Sequence, residues 1–396
     1  GKGGGVYTWA NIWKAPAPAS TLQFRHRFLD RDKPYTGVDL LAADIDGDGR
    51  KDLVTGSWWY RNPSWERYDI PEAYQVIATG DVDGDGKEEL IAIKRSAALT
   101  ESPYDGLTND GDAWYKGLCS DLCWLKAEDP AKGRWRSYPI GTGGGDWPHG
   151  ALIAPVLPGA KQALLLCYHG AYGGSGQYPE IFAIPNDPRE HPWPRRTLAE
   201  VAYWENPVAC DLYGTGRLDL VLGGWRLANQ DDGTFRPERF APEDLDIARI
   251  AVADVNGNGL LDLVVGEGTV QYDRKHTPFS RLAWLENPGA PGKQWHLHVI
   301  DRIRCAHSLT VVDLDGDGEL ELVCGEHDPY RSYRTRCRLL VYKKADARGQ
   351  VWQRRTLDNR FEHHCGARVF EVAPGRLAIA SHAWNEPRYV HLWEPA

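Results

Sequence analysis

The sequence predicts an all-β fold of seven four-stranded units closed into a ring, and three repeating patterns lead there. An acidic turn, Asp-x-Asp-Gly-Asp-Gly followed by an acidic residue and aliphatics, returns along most of the chain. Mainly apolar strands lie on both sides of each copy. A Trp or Phe followed by alternating basic and apolar residues marks one further strand per unit. The composition agrees, since 42 Gly, 26 Pro and 17 Trp among 396 residues suit many short strands better than helices.

Taken in order, the first acidic turn is Asp44-Ile-Asp46-Gly-Asp48-Gly-Arg-Lys-Asp52, between strands at Val38 to Ala43 and Leu53-Val54. The second is Asp81-Val-Asp83-Gly-Asp85-Gly-Lys-Glu-Glu89. The third unit keeps the strand, turn, strand rhythm without the acids, from Gly150 to Cys167 around Pro158-Gly159. A worn fourth turn runs from Asp211 through Tyr213 and Thr215 to Asp219. The fifth, Asp254-Val-Asn256-Gly-Asn258-Gly-Leu-Leu-Asp262, follows a strand at Ile250 to Ala253. The sixth, Asp313-Leu-Asp315-Gly-Asp317-Gly-Glu-Leu-Glu321, separates Leu309 to Val312 from Leu322-Val323, and the seventh unit spans Gly366 to Ser381 around Pro374-Gly375.

The aromatic-led outer strands are Trp65 to Ile70, Trp135 to Ile140, Trp193 to Leu198, Phe235 to Phe240, Trp295 to Ile300 and Trp352 to Leu357. The seventh is missing from the last unit, where Tyr389-Val-His-Leu-Trp393 fits a third strand. It is found instead at Phe24-Arg-His-Arg-Phe28, so the segment at about 22–29 supplies the outer strand of the last unit. Radial repetition with joined ends describes a seven-bladed β-propeller, which protects its sheet edges. Units of roughly 40 to 60 residues are too long for a β-helix. No linker divides the chain, and residues 1–396 read as one domain.

Charge and hydropathy narrow the function. Hydrophobic residues at 42% and charged residues at 26% are globular values, and no 18-residue apolar run suggests a membrane span. A net charge of −9 without a block of Lys and Arg argues against nucleic acid as a partner. The chain holds no Met, initiator included, and reads as processed with no leader left to interpret.

In the acidic turns, carboxylates at relative positions 1, 3, 5 and 9 converge with a backbone carbonyl at 7, an oxygen-rich shell that suits Ca²⁺. In the first copy these are Asp44, Asp46, Asp48, the Arg50 carbonyl and Asp52. The later sets are Asp81, Asp83, Asp85 and Glu89, then Asp254, Asn256, Asn258 and Asp262, then Asp313, Asp315, Asp317 and Glu321. Charge count favours the copies at Asp44 and Asp313. The alternative is that the Asp side chains cap their own backbone as Asx-turns without metal. Either way the turn stabilises a blade. From these turns the chain, over about residues 36–396, resembles the FG-GAP and VCBS repeat families, which include integrin-type and lectin-type propellers.

Opposite the acidic turns lies the face where the first strand of each blade begins and the loops between strands two and three emerge. Eight of the 13 His fall there: His149, His169, His276, His307, His327, His363, His364 and His382. His149, His307 and His364 sit at equivalent strand starts and are expected to encircle the tunnel mouth with Glu205 or Asp246. Imidazoles and a carboxylate suit a second, transition metal there, or substrate directly. His169, Tyr172, Arg226 and Arg331 join the catalytic candidates. Trp225, Tyr330, Trp384, His382, Glu326 and His327 are expected to bind substrate. The long insertion from Ser96 to Leu122, with Tyr104, Asp105, Asp110, Asp112, Trp114 and Tyr115, belongs to the same face.

Flat aromatics stack on sugars and Arg forks onto carboxylates, so an oligo- or polysaccharide containing uronic acid satisfies both. β-Elimination from a uronate needs its carboxylate neutralised, a base for the α-proton and an acid for the leaving oxygen. Arg or metal, His, and Tyr or His fill these roles. A single-domain propeller with this face resembles the propeller polysaccharide lyases, notably those cleaving rhamnose from glucuronate. It also resembles the propeller portion of fungal aldos-2-ulose dehydratases. These resemblances imply the chemistry and not particular residue positions. A glycoside hydrolase using Glu267 and Glu326, a sugar dehydratase and a non-catalytic glycan-binding propeller remain as alternatives.

Eight Cys are too few for a disulfide-dependent fold of this length. Cys167, Cys210 and Cys324 lie in strand patterns and read as buried thiols, Cys119 and Cys123 share the insertion and are close enough in sequence to bridge, and Cys305, Cys337 and Cys365 fall on the site face. Calcium and a polymer substrate favour an extracellular or periplasmic monomer.

Overall fold

The computed structural model describes residues 23–34, 36–96, 121–169, 177–201, 203, 205, 207–268, 280–328, 337–363, 367–383 and 387–396. They form seven antiparallel four-stranded sheets, and in six of them the four strands are consecutive in sequence. The seventh sheet is ordered Phe24–Asp30, Val390–Pro395, Arg376–His382, Arg368–Ala373, so the N-terminal strand closes the ring as expected. The fold is a seven-bladed β-propeller without an α-helix among the described residues. Among the described residues no helix is long and apolar enough to cross a membrane.

Strand alternation explains where the core sits. Successive side chains point to opposite faces of a blade, and each face packs on the neighbouring blade. The buried hydrophobics accordingly divide into seven wedges, each drawn mainly from two adjacent blades. Val54, Trp59 and Ile70 of blade 1 meet Val76, Leu90 and Leu125 of blade 2, for example. Tryptophan staples some of these wedges. Trp124 and Trp193 Nε1 both donate to the Pro188 carbonyl, at 3.0 and 2.9 Å, and Trp284 and Trp352 share the Gly349 carbonyl in the same way, at 2.9 and 2.8 Å. A buried indole needs an acceptor, and one loop carbonyl serves two blades.

The acidic turns form through local capping. Asp44 accepts from Gly47 and Gly49 N at 2.9 Å each, and the position-9 carboxylate of Asp52 accepts from Ile45 N at 3.1 Å and Asn62 N at 2.7 Å. Gly47 and Gly49 have φ of 74° and 84°, a region that favours glycine. The same capping by the first Asp recurs at Asp81, Asp211, Asp254 and Asp313.

At the closure, His26 Nε2 lies 3.0 Å from His391 Nδ1, and the His26 ring stacks on Trp393 at 3.9 Å between centroids. Deleting residues through Asp30 strips the Val390–Pro395 strand of its partner and leaves a sticky edge. The truncated chain is expected to lose its single cooperative melting transition in calorimetry. A truncated chain that melts like the full one would show that closure contributes nothing.

Candidate active site

Antiparallel pairing sets the start of a blade's first strand beside the end of its second: Pro148 pairs with Tyr168, and Ala306 with Glu326. His149 and His169 therefore meet in blade 3, and His307 and His327 in blade 6, with ring centroids 5.0 Å apart in both pairs. His149 and His307 are 6.3 Å apart, so four imidazoles form one row across the ring.

Glu205 of blade 4 joins the two middle rings. Its fully buried carboxylate lies 3.4 Å from His149 Nδ1 and 3.0 Å from His307 Nε2. Arg249, from the first strand of blade 5, Ile247–Ala253, pairs with the same carboxylate. Its Nε donates to the His307 carbonyl at 2.6 Å, and its Nη2 is 2.9 Å from His307 Nδ1. A guanidinium only donates, so His307 Nδ1 accepts and its proton rests on Nε2, facing Glu205. At the far end of the row His327 Nδ1 lies 3.0 Å from Glu362 Oε1.

Burial, reinforced by the Arg249 charge and the neighbouring imidazoles, holds the His307 pKa well below the usual range. Burial, with His149 beside it, lowers that of His169 to about 3. Both rings are neutral at pH 7. Of the row, His307 lines a cavity of about 310 Å³ in the central tunnel, which is walled by all seven blades and also holds Asp39, Arg249 and Arg368. Enclosure in the tunnel raises the Asp39 pKa against the pull of His149, Arg249 and Arg368.

The other expected site residues fall elsewhere. His382 is fully buried, with Nε2 3.2 Å from Thr55 Oγ1 and Nδ1 donating to the Ala383 carbonyl at 2.7 Å, and it ties blade 7 to blade 1. Glu326 is clamped by the Arg338 guanidinium, 2.8 Å from Nε, and by the backbone N–H groups of Arg304 and Arg338. Glu267 is held likewise by Arg281. Arg226 turns toward the acidic-turn side, pairing with Asp219 and Glu238 at 2.7 Å each and lying over the Tyr213 ring. Trp225 packs against the wedge between blades 3 and 4, with the Arg239 guanidinium 5.4 Å from its ring. His364, Tyr172, Tyr330, Arg331 and Trp384 lie outside the described residues, as do Cys119, Cys365, His276 and the insertion aromatics. Cys123, Cys167, Cys210, Cys305, Cys324 and Cys337 are free and buried.

Sequence reading did not single out Arg249, Arg368, Asp39 or Glu362. Arg249 is the one charge within the apolar first strand Ile247–Ala253, but which side of that strand faces the tunnel is set by ring closure.

Among the described residues, three groups of carboxylates have oxygens within 4.8 Å of one another, close enough to share a cation: Asp44, Asp46 and Asp48; Asp81, Asp83 and Asp85; Asp313, Asp315 and Glu321. Among the described residues the histidine row is not such a group, and Arg249 already takes the Glu205 oxygen nearest His149.

Residues 211–265, which hold the turns at Asp211 and Asp254, match the FG-GAP-like repeat family. No curated protein sequence matches the chain significantly. Among solved structures, the rhamnogalacturonan lyase PL11 of Bacillus licheniformis is similar over 94% of this chain and 76% of its own, at 10% identity and a TM-score of 0.45. The biofilm matrix protein Bap1 of V. cholerae is similar over 94% of this chain and 70% of its own, at 12% identity and a TM-score of 0.36.

Proposed function

We propose that the histidine face is the active site of a carbohydrate-active lyase that cleaves a uronic-acid-containing oligo- or polysaccharide by β-elimination. The observation that carries this reading is the His149–Glu205–His307 constellation at the tunnel, held by Arg249. A carboxylate on Nδ1 orients an imidazole and supports proton uptake at its other nitrogen. His149 is the base for the α-proton. As the α C–H bond breaks, its electron pair forms the α,β double bond, the β C–O bond breaks, and the departing oxygen takes a proton from Tyr172 or an imidazole. Arg249 and His307 position Glu205. Arg331 meets the substrate carboxylate, while Tyr330, Trp384 and His327 contact the sugars.

The hydrolase alternative loses its acid pair, because Glu267 and Glu326 are each engaged by an Arg and by backbone N–H groups. Calcium enters this reading as a stabilising ion in the turn at Asp44, and the protein as an extracellular or periplasmic monomer. Mass spectrometry of the products tests the reaction class. Elimination consumes no water, so the product masses are expected to sum to that of the substrate. A sum larger by one water would mean hydrolysis.

A further inference from the structure

The acidic turns differ from one another in a way that calcium binding alone does not explain. Lys343, on the third strand of blade 6, is the strand partner of the position-9 residue Glu321. Its Nζ lies 2.8 Å from Asp315, 2.6 Å from Asp317 and 2.9 Å from Glu321. In blade 2 the equivalent Lys126 contacts Asp83 as well as Asp85 at 2.7 Å and Glu89 at 3.5 Å. Each ammonium thus touches positions 3, 5 and 9, the carboxylates that would otherwise converge on a metal ion.

The same third-strand position covaries with the turn from blade to blade. Blade 1, with acids at positions 3 and 5, has Arg61, whose Nε meets Asp46 at 2.6 Å. Blade 5 has Asn256 and Asn258 in those places, and opposite them stands Glu286, which accepts from Asn256 Nδ2 at 3.1 Å. The worn turn of blade 4, with Tyr213 and Thr215, faces Ala228. A base stands opposite acidic turns, an acid opposite an amide turn and a neutral residue opposite a neutral one.

We infer that the turns of blades 2 and 6 are closed by an internal lysine ammonium in place of a metal ion. The turn chemistry fits a cation there, and the chain supplies it. Arg61 is different. It touches one carboxylate through an exposed side chain, and leaves the Asp44 turn open to calcium.

Equilibrium dialysis with Ca²⁺, paired with thermal melting, tests this on the full chain and on Lys126→Met and Lys343→Met. The wild type is expected to bind no more than one ion. Each variant should melt about 2–4 °C lower without calcium, gain one bound ion and recover its melting temperature when calcium is added. Two or more ions on the wild type, lost in Asp83→Asn or Asp315→Asn, would overturn the inference. So would lysine variants that bind no additional ion.

Discussion

His149→Gln is expected to lower kcat about 10²–10⁴-fold on the cleaved glycan with little change in KM, the loss that follows removal of a positioned general base. The substitution suits the question because Gln can still donate to Glu205, the carboxylate 3.4 Å from His149 Nδ1. Replacing Glu205 itself would be less informative. It is fully buried and compensates Arg249, and removing one partner of a buried ion pair costs about 3–5 kcal/mol. Initial rates over a range of substrate concentrations, with a melting curve to show that the variant is folded, check the prediction. Wild-type kcat in a folded His149→Gln would remove His149 from the mechanism.

Acid should destabilise the propeller before it protonates most carboxylates. Burial lowers the pKa of His382 to about 3 and, with His363 and His26 nearby, that of His391 to about 2. His169 is lowered to about 3. A depressed histidine binds its proton more readily in the unfolded chain, so its stabilising contribution is complete above pH ~6.5 and is lost as pH falls toward the folded-state value. At pH 5 each of the three costs about 2 kcal/mol. Four buried turn carboxylates oppose this. Burial raises Asp52 to about 7, Asp262 to about 6 and Glu89 and Glu321 above their ordinary values, so all four regain stability over the same interval, the first two by about 2 and 1 kcal/mol. The lowered histidines, His307 among them, outweigh these gains. Part of the loss falls on the blade closure, where His26 and His391 share a hydrogen bond that double protonation abolishes. The melting temperature is expected to drop steadily from pH 6.5 to 5. An unchanged or higher one at pH 5 would contradict this account.

The fold was legible because its signals are local. An acidic turn needs only its own residues, and each outer strand carries its own Trp or Phe. Even the closure followed from counting outer strands, since Phe24–Asp30 had no other sheet to join. The four histidines of the row were also legible, because register forces strand starts beside strand ends, and His149 with His169 and His307 with His327 obey it. Side-chain direction was harder. Trp225 and Arg226 are adjacent on one strand and so point to opposite faces, yet both were assigned to the site. Arg226 swings to Asp219 because the worn turn of blade 4 offers a buried acid without a lysine. Glu326 looked like a site acid, but it is consumed by Arg338 twelve residues on, a pairing set by how the second and third strands lie together. Arg249 was hidden in an apolar strand whose tunnel-facing side becomes clear only when seven blades close.

The most direct measurement of the central claim is ultraviolet absorbance in the window of an unsaturated uronate, followed while the protein acts on a panel of glucuronate-containing glycans. A rise in wild type, much reduced in His149→Gln and unaffected by chelator once melting shows the fold intact, is the predicted result. No rise with any glycan while reducing ends are released would contradict it, and would move the histidine row from elimination to hydrolysis.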